Sequence, residues 1–336
     1  MREARLYSQA EGGFVDCRLC AFHCHIADGK RGVCGVRENV GGTLYTHVYG
    51  RIIAQHADPI EKKPLFHFMP GSRSYSIATV GCNFRCLHCQ NAEISQMPKD
   101  EKRILGAEVS AVEVVDDALE EGCESIAYTY TEPTIFFEYA IDVAELASKR
   151  GLKNIFVTNG YMTTECLDAM KGTLDAANVD VKAFTESFYK KICGARLAPV
   201  LDSIEYMRKL GIWVEITTLV IPTLNDSPEE LREIARWIAA TDKAMPWHIS
   251  AFHPAYKLDT LEPTPPSTIE LAREIGLSEG LRYVYTGNIP GLKGEDTFCY
   301  ECGHTLIDRH GFTVKRNVVV ASRCPHCHAE IDGVGL

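Results

Sequence analysis

Three cysteines with the spacing C-x3-C-x2-C are the residues of this chain best suited to chemistry. Cys82, Cys86 and Cys89 follow an apolar, strand-like run over Ser74–Val80. A cubane [4Fe–4S] cluster normally takes one thiolate on each iron, so three thiolates leave one iron with an open position. An open position marks a catalytic metal site. A zinc knuckle or a disulfide-bonded loop is the alternative interpretation, and the enzyme-like sequence downstream disfavours it.

The wider sequence from Ala78 to Gln96 resembles the radical SAM superfamily. Within it, this chain is similar to the branch related to pyruvate formate-lyase activating enzyme, and there to AmmeMemoRadiSam-type proteins. The resemblance covers nearly the whole chain, from Cys17 to Leu336. It implies an oxidoreductase in which S-adenosylmethionine (SAM) chelates the open iron of the [4Fe–4S] cluster. Cleavage of SAM would then release a 5′-deoxyadenosyl radical, which abstracts a hydrogen atom.

Alternating strands and helices must position these cysteines. Capping boxes at Ser110 and Ser267, an N-cap at Ser227 and a C-cap at Gly211 predict helix ends. Short apolar runs predict buried parallel strands at Ser74–Val80, Ser125–Tyr130, Asn154–Thr158, Asn178–Lys182, Trp213–Val220, His248–Phe252 and Arg282–Tyr285. The alternation fits a doubly wound sheet or a barrel. Candidate side chains after almost every strand favour the barrel. The resemblance implies the same α/β fold, a partial (β/α)6 TIM-type barrel.

Polar residues after the second and third strands are candidate SAM contacts. Relatives commonly carry Gly-Gly-Glu after the second strand, against the SAM amino group, and this chain has Tyr130-Thr131-Glu132 there. Glu132 still offers an acceptor for an ammonium, and Thr131 offers a carbonyl and a hydroxyl. Asn159, before Gly160, is a candidate contact to ribose or substrate because it follows a strand. A simple Asn-Gly turn is the alternative.

The fourth and sixth strands supply the remaining candidates. Asp180 and Lys182 alternate with valines, so both point the same way. The resemblance implies that this pair binds SAM, and a structural ion pair is the alternative. His253 aligns with a histidine that relatives place near the SAM ribose; a loop histidine before proline is the alternative. The loop Thr286–Pro290 could face the substrate opening. No single side chain is predicted as the catalytic residue.

Four further cysteines lie near the start of the chain: Cys17, Cys20, Cys24 and Cys34. Their number fits a structural zinc and a second [4Fe–4S] cluster equally. His23 and His25 could replace a cysteine. A segment of about seventy residues with little apolar core needs a disulfide or a structural metal to be stable, which favours zinc slightly.

Two C-x2-C pairs lie near the end of the chain, separated by a β-rich stretch: Cys299, Cys302, Cys324 and Cys327. This pattern predicts a zinc ribbon with a closed, structural metal site. We therefore predict three domains. Residues 1–71 are a Cys-rich metal-binding extension, residues 72–294 the radical SAM partial barrel, and residues 295–336 a zinc-ribbon-like module.

Composition limits the partners of this chain of 336 residues. A net charge of −10 argues against non-specific binding to nucleic acid. The sequence has no apolar run long enough to span a membrane and no apolar leader, and its clustered cysteines indicate metal ligation in a reducing cytoplasm. The scattered Cys123, Cys166 and Cys193 are predicted to be buried small hydrophobes.

The resemblance also implies partners and a substrate class. An activase-like enzyme would act on a glycine in a protein or peptide and would need a low-potential electron donor, flavodoxin or ferredoxin. Memo-like and AMMECR1-like companion proteins are expected. Hydrogen abstraction from a small metabolite or lipid is one alternative. A non-catalytic iron–sulfur or zinc scaffold is another, against which the intact Asp180 and Lys182 argue.

Overall fold

The computed structural model describes residues 1–289, 291 and 294–336, which form two compact units. The first unit comprises Met1–Asp58, Arg73–Ala177 and Ala198–Ile212, and the second comprises Pro59–Ser72, Asn178–Leu197 and Trp213–Leu336. The three domains proposed from sequence stay a prediction. Pro290, in the predicted loop Thr286–Pro290, lies outside the described residues. None of the described helices has both the length and the hydrophobicity needed to cross a membrane.

The described strands are short. In chain order they are β1 (Arg2–Glu3), β2 (Tyr7–Gln9), β3 (Val15–Cys17), β4 (His25–Ile26), β5 (Arg37–Val40), β6 (Thr43–Thr46), β7 (Arg51–Ile52), β8 (Ala54–Pro59), β9 (Arg73–Ala78), β10 (Ala107–Glu108), β11 (Ser125–Tyr128), β12 (Lys153–Thr158), β13 (Ala176–Asp180), β14 (Trp213–Val220), β15 (Trp247–Ala251), β16 (Val284–Gly287), β17 (Thr297–Phe298), β18 (Thr305–His310) and β19 (Thr313–Asn317).

The helices lie mostly between the longer strands. They are α1 (Ala92–Ser95), α2 (Met97–Asp100), α3 (Ala111–Glu120), α4 (Phe137–Lys149), α5 (Thr164–Ala169), α6 (Glu186–Phe188), α7 (Ala198–Lys209), α8 (Pro228–Asp242) and α9 (Pro266–Ser278). Short 3-10 helices span Glu11–Gly13, Ile60–Lys62 and Pro133–Phe136, and a π-helix spans Tyr189–Cys193. The scattered Cys123, Cys166 and Cys193 are buried, as predicted.

Most of the predicted helix ends are confirmed. Ser110 and Glu113 form both hydrogen bonds of a capping box at the start of α3, and Ser227 caps α8. The predicted capping box at Ser267 is wrong. The helix α9 begins at Pro266, and no side chain caps it. The proline ring fixes φ near the helical value, so Pro266 starts the helix and leaves Ser267 inside the first turn.

Parallel strands of the first unit bring three loops to one edge of a sheet. The strand order is β8-β9-β11-β12, and both β9 and β12 run parallel to β11. Tyr128 pairs with Ile77 on one side and with Phe156 on the other. Because the carboxyl ends of parallel strands meet at one edge, the loops after β9, β11 and β12 lie side by side. Small antiparallel sheets, β1-β6-β5, β2-β3-β4 and β7-β10, complete the unit.

The second unit contains the parallel strands β14, β15 and β16 and an antiparallel sheet, β17-β18-β19. A buried polar network lies at the amino ends of β14 and β15. Glu215 accepts hydrogen bonds from the backbone of Phe66 and His67, and His248 Nε2 lies 2.6 Å from its Oε2. Polar groups at this edge of parallel α/β sheets serve stability, whereas chemistry is found at the carboxyl ends.

Candidate active site

The three-cysteine loop leaves β9 through a glycine that no other residue could replace easily. Gly81 has φ +108°, and a Cβ there would lie 2.9 Å from Val36 Cγ1. The loop is closed by hydrogen bonds from the Gly81 amide to the Ile94 carbonyl, 3.0 Å, and from the Cys89 amide to the Cys86 carbonyl, 3.3 Å. These bonds hold the cysteines in one compact turn before α1.

Polar groups surround the cysteine sulfurs. The Phe84 amide donates to Cys82 Sγ over 3.3 Å, and Cys89 Sγ lies 3.2 Å from Ser95 Oγ. Burial and the neighbouring charge of Glu132 raise the pKa of the Cys82 thiol. Hydrogen bonds to cluster sulfurs are one way in which proteins set the reduction potential of an iron–sulfur cluster. The Phe84 side chain is itself buried, as expected for a residue that shields a cluster.

The spacing of the three thiols fits a cluster better than a single ion. Tetrahedral zinc, with Zn–S of about 2.3 Å, holds its sulfur ligands about 3.8 Å apart. The thiols of Cys82, Cys86 and Cys89 do not all lie within 4.8 Å of one another. All three are free, so no disulfide joins them. Wider spacing is expected where each thiolate binds a different iron of a cubane.

Asn159, the candidate after β12, reaches the cysteine loop. Its Nδ2 donates to Asn83 Oδ1 over 2.7 Å and approaches Cys82 Sγ at 3.8 Å, while its Oδ1 accepts from the Tyr161 amide. Asn83 Nδ2 is buried and has no hydrogen-bond partner among the described residues. A buried, unsatisfied amide is costly, which indicates a place for an acceptor on a bound group.

Glu132 ties the loops after β11 and β12 together. Its Oε1 accepts from the Thr134 amide and hydroxyl and from the Thr158 hydroxyl, and its Oε2 accepts from the Asn159 amide at 2.9 Å. The carboxylate is almost completely buried, and burial raises its pKa against the lowering effect of these bonds. Glu132 therefore orients Asn159, whatever else it contacts.

Tyr130 keeps a backbone conformation that glycine normally provides. Its φ is +59°, which is uncommon and costly for an aromatic residue. The phenol donates to Asp58 Oδ2 over 2.6 Å, and Asn91 Nδ2 donates to the Tyr130 carbonyl over 2.8 Å. The next residue, Thr131, donates its hydroxyl to the Thr79 carbonyl at 2.8 Å. The loop thus keeps a glycine-like conformation although both glycines are replaced.

Asp180 and Lys182 lie in the second unit, at and just beyond the end of β13. Lys182 Nζ lies 2.8 Å from Asp180 Oδ2, so the two side chains point the same way, as predicted. The Lys182 side chain is 14% exposed to solvent, and the Asp180 side chain is 33% exposed. The backbone of Lys182 is fixed by Tyr189 and Asn225. Partial exposure leaves both groups accessible to a small molecule.

His253 follows β15 and is exposed. Its Nε2 lies 3.2 Å from the Asn288 carbonyl, and Asn288 Nδ2 donates to the Ala251 carbonyl over 3.4 Å. The loops after β15 and β16 are therefore joined at the carboxyl ends of these strands. This is the edge at which chemistry is found in parallel α/β folds.

Comparisons with known proteins identify the chain's family. Residues 76–238 match the radical SAM superfamily. An uncharacterized protein of Methanocaldococcus jannaschii is 45% identical over 335 residues, which cover 99% of both chains. The chain belongs to the radical SAM superfamily. Pyruvate formate-lyase-activating enzymes of Clostridium pasteurianum and Listeria monocytogenes are 26% and 24% identical, over 50% and 61% of this chain and 70% and 90% of theirs. They support the predicted branch of the superfamily.

Solved structures confirm the predicted fold class. Streptococcus suis SuiB bound to SAM matches with a TM-score of 0.52 and 12% identity, over 68% of this chain and 53% of SuiB. A radical SAM methyltransferase from Sphaerobacter thermophilus matches with a TM-score of 0.51 and 15% identity, over 71% of each chain. This radical SAM protein therefore has the α/β fold that the sequence predicted, and the fold includes a mixed sheet. Its superfamily implies a [4Fe–4S] cluster and SAM.

The carboxyl-terminal cysteines of this radical SAM protein form a closed four-sulfur site, and their Sγ atoms all lie within 4.8 Å: Cys299, Cys302, Cys324 and Cys327. The Cys299–Cys327 and Cys302–Cys324 sulfur pairs are 3.5 and 3.7 Å apart. These separations match tetrahedral zinc. Cys299 and Cys324 pack in a buried cluster with Phe66. The site fits the predicted zinc-ribbon-like module, and zinc itself is suggested by the donor set.

Sequence patterns did not reveal three residues of this site. Asn83 lies in the first gap of the motif, and nothing in the sequence except its position next to Cys82 marked it. Asp58 lies near the end of β8 and supports Tyr130, and Lys99 in α2 donates to the Phe84 carbonyl at 2.6 Å. No spacing rule links Asp58 or Lys99 to the motif, because both reach it through the fold.

Proposed function

We propose that this protein is an activase-like radical SAM enzyme that abstracts a hydrogen atom from a glycine in a protein or peptide. The observation that carries the radical SAM part of the proposal is the hydrogen bond from Asn159 to Asn83, which joins a candidate after β12 to the three-cysteine loop. Relatedness to pyruvate formate-lyase-activating enzymes supports the substrate class.

The cysteines Cys82, Cys86 and Cys89 hold the cluster in this proposal. A cluster held there would supply the one-electron reduction that converts SAM to methionine and a 5′-deoxyadenosyl radical able to abstract a hydrogen atom. The unsatisfied Nδ2 of Asn83 donates to an acceptor of the bound groups. Asn159, held by Glu132, keeps Asn83 oriented.

The polar groups beyond the cysteine loop bind SAM in this proposal. Asp180 would accept from the SAM ammonium, and Lys182 would donate to its carboxylate. The Thr131 carbonyl and His253 stay candidate contacts to SAM, the latter to its ribose. These groups position the cofactor and take no part in bond breaking.

Anaerobic assays test the function in two steps. The chain, reconstituted with iron and sulfide and reduced with dithionite, should form 5′-deoxyadenosine from SAM, and a Cys86→Ala variant should not. An extract of cells grown in heavy water is then separated into protein and small-molecule fractions. Deuterium transfer from the protein fraction into 5′-deoxyadenosine supports the activase, together with the EPR doublet of a glycyl radical in a parallel reaction on protein from cells grown in ordinary water. Transfer from the small-molecule fraction alone contradicts it.

The partners are part of the same proposal. Flavodoxin or ferredoxin supplies the electron, because SAM cleavage needs a low-potential reductant. Memo-like and AMMECR1-like companions stay a prediction from the resemblance. Co-purification of the tagged chain from its own cells, under anaerobic conditions, tests that association.

A further inference from the structure

The amino-terminal cysteines lie close together but are not spaced as the ligands of one metal ion. They are Cys17, Cys20, Cys24 and Cys34, called here the N-terminal thiols. The amide of Cys17 donates to the carbonyl of Cys24 over 2.9 Å, and the charges of the other three thiols all act on Cys20. Yet within the described residues, the carboxyl-terminal cysteines are the one group of three or more ligand atoms lying within 4.8 Å. The N-terminal thiols are therefore more widely spaced.

The chain itself contains both kinds of spacing for comparison. The zinc-ribbon sulfurs lie 3.5 and 3.7 Å apart in pairs, as ligands of one ion must. The thiols of Cys82, Cys86 and Cys89 are electrostatic neighbours that lie farther apart. The N-terminal thiols have the wider spacing of Cys82, Cys86 and Cys89. This spacing is expected where each thiolate binds its own iron.

The surroundings of the N-terminal thiols suit an anionic cluster. Arg37 Nη1 donates to Cys17 Sγ over 3.4 Å, and its buried guanidinium is paired with Glu138. A buried cation and its N–H···S bond stabilise the negative charge of a four-thiolate cluster.

The backbone at Cys34 and Gly35 lies next to the three-cysteine loop and α2. A Cβ on Gly81 would lie 3.6 Å from the Cys34 carbonyl, and a Cβ on Gly35 would lie 3.7 Å from Lys99 Cγ. Lys99 donates to the Phe84 carbonyl over 2.6 Å. One lysine therefore packs beside Gly35 and binds the loop that carries Cys82, Cys86 and Cys89.

Aromatic rings provide a second link between the two groups. The ring of Phe22, between Cys20 and Cys24, lies 4.8 Å from the ring of Tyr161, which lies 5.2 Å from that of Phe84. The other side of the N-terminal group faces solvent, because Phe22 and Cys24 are half-buried and His23 is exposed. A protein donor could approach on that side.

We propose that Cys17, Cys20, Cys24 and Cys34 bind a second [4Fe–4S] cluster, which relays electrons to the cluster at Cys82, Cys86 and Cys89. One electron enters from reduced flavodoxin or ferredoxin and takes the second cluster from the 2+ to the 1+ state. The same electron passes to the catalytic cluster, which returns the second cluster to 2+, and no bond to it breaks. Cluster binding stands independently, whereas the relay role rests on the proposed function.

Metal analysis tests cluster binding without any substrate. The full chain carrying Cys82→Ala, Cys86→Ala and Cys89→Ala keeps the N-terminal thiols. It should retain about four irons and four sulfides per chain after anaerobic reconstitution. Its EPR signal after dithionite reduction should not change when SAM is added. Zinc in place of iron in this variant overturns the proposal.

Two further samples guard against a folding failure. In the unsubstituted chain, Mössbauer and EPR spectra should show two cubanes, of which SAM perturbs one. One cubane with a second zinc contradicts the proposal even if the triple variant does not fold. A Cys299→Ser/Cys302→Ser variant is the matched control, and it should lose zinc while it retains the iron of both clusters.

The relay is tested by comparing electron donors. With reduced flavodoxin, a Cys17→Ser/Cys34→Ser variant should form 5′-deoxyadenosine about tenfold more slowly than the unsubstituted chain. With dithionite, its rate of 5′-deoxyadenosine formation should fall much less. Equal losses with both donors contradict a relay and indicate a structural role. If the unsubstituted chain cleaves no SAM, the proposed function fails, while the metal analysis still decides the second cluster.

Discussion

The side-chain amide of Asn159 donates to Oδ1 of Asn83 over 2.7 Å, although the two residues lie 76 positions apart. This bond joins the loop after β12 to the three-cysteine loop. The same amide approaches Cys82 Sγ at 3.8 Å. Asn159 therefore contacts both Cys82, a predicted cluster ligand, and its neighbour Asn83.

Replacing Asn159 should change both the reduction potential of the cluster and the rate of SAM cleavage. Asn159→Ala removes a donor to Cys82 and leaves buried Asn83 Oδ1 with only the long contact from Cys82 Sγ, 3.9 Å, which costs about 1–3 kcal/mol. We expect slower SAM cleavage, by roughly tenfold or more, and a more negative reduction potential, because a hydrogen bond to sulfur is lost. EPR-monitored redox titration checks the potential. The exposed Asn317→Ala is the control, and equal potentials in the two variants would contradict the role of Asn159.

Tyr130 offers a test of backbone conformation against side-chain contact. Tyr130→Gly keeps the positive φ without strain, whereas Tyr130→Phe keeps the strain and loses the hydrogen bond to Asp58. We expect Tyr130→Phe to lose about 1.5–3 kcal/mol of stability, the usual worth of a bond to a charged group. SAM binding should survive better in Tyr130→Gly. Urea unfolding and SAM titration of both variants measure this; weaker SAM binding in the glycine variant would refute it.

The pair Asp180–Lys182 can be compared with a matched ion pair of this chain. Lys182→Met should raise the Kd for SAM by roughly tenfold or more, because it removes the proposed partner of the SAM carboxylate. Lys153→Met breaks a pair of the same 2.8 Å separation, Lys153–Asp175, away from the site. It should leave the Kd unchanged. Isothermal titration of SAM into anaerobic protein checks both. A Lys182 variant with lower Tm and normal SAM affinity would show a purely structural pair.

His67 should make the stability of this protein depend on pH. Burial lowers the pKa of His67 to about 4, while Nδ1 donates to the Asp332 carbonyl and Nε2 accepts from Tyr285. The unfolded chain has a histidine pKa of about 6.5. The depressed value in the folded state contributes stability above the unfolded pKa, which is lost as pH falls from about 6.5 to about 4. The full loss approaches about 3 kcal/mol.

Urea unfolding of a His67→Gln variant checks this dependence. Its free energy of unfolding should fall less between about pH 7.5 and about pH 4.5 than that of the unsubstituted chain, because glutamine does not titrate. His253→Gln, at an exposed histidine, is the control and should keep the original slope. Parallel curves for the chain and His67→Gln would contradict the assignment.

Local patterns in the sequence predicted the parts of this fold that depend on neighbouring residues. The motif Cys82, Cys86 and Cys89 was recognisable because one loop must supply all three ligands. The helix starts at Ser110 and Ser227 were correct because a cap bonds within one turn. Ser267 was misassigned for a local reason too: the pattern was present, and the preceding proline began the helix first.

The sequence by itself determined the superfamily, the three cysteine groups and the polar residues that follow the strands. Tertiary structure decided how these residues meet: Asn159 with Asn83, Glu132 with Thr158, and Cys34 with Gly81. It also distinguished the two four-cysteine groups: the sulfurs of the carboxyl-terminal group all lie within 4.8 Å of one another, and those of the amino-terminal group do not. Intervals along a chain count ligands, but distances between sulfurs depend on how loops pack, and the distances distinguish an ion from a cluster.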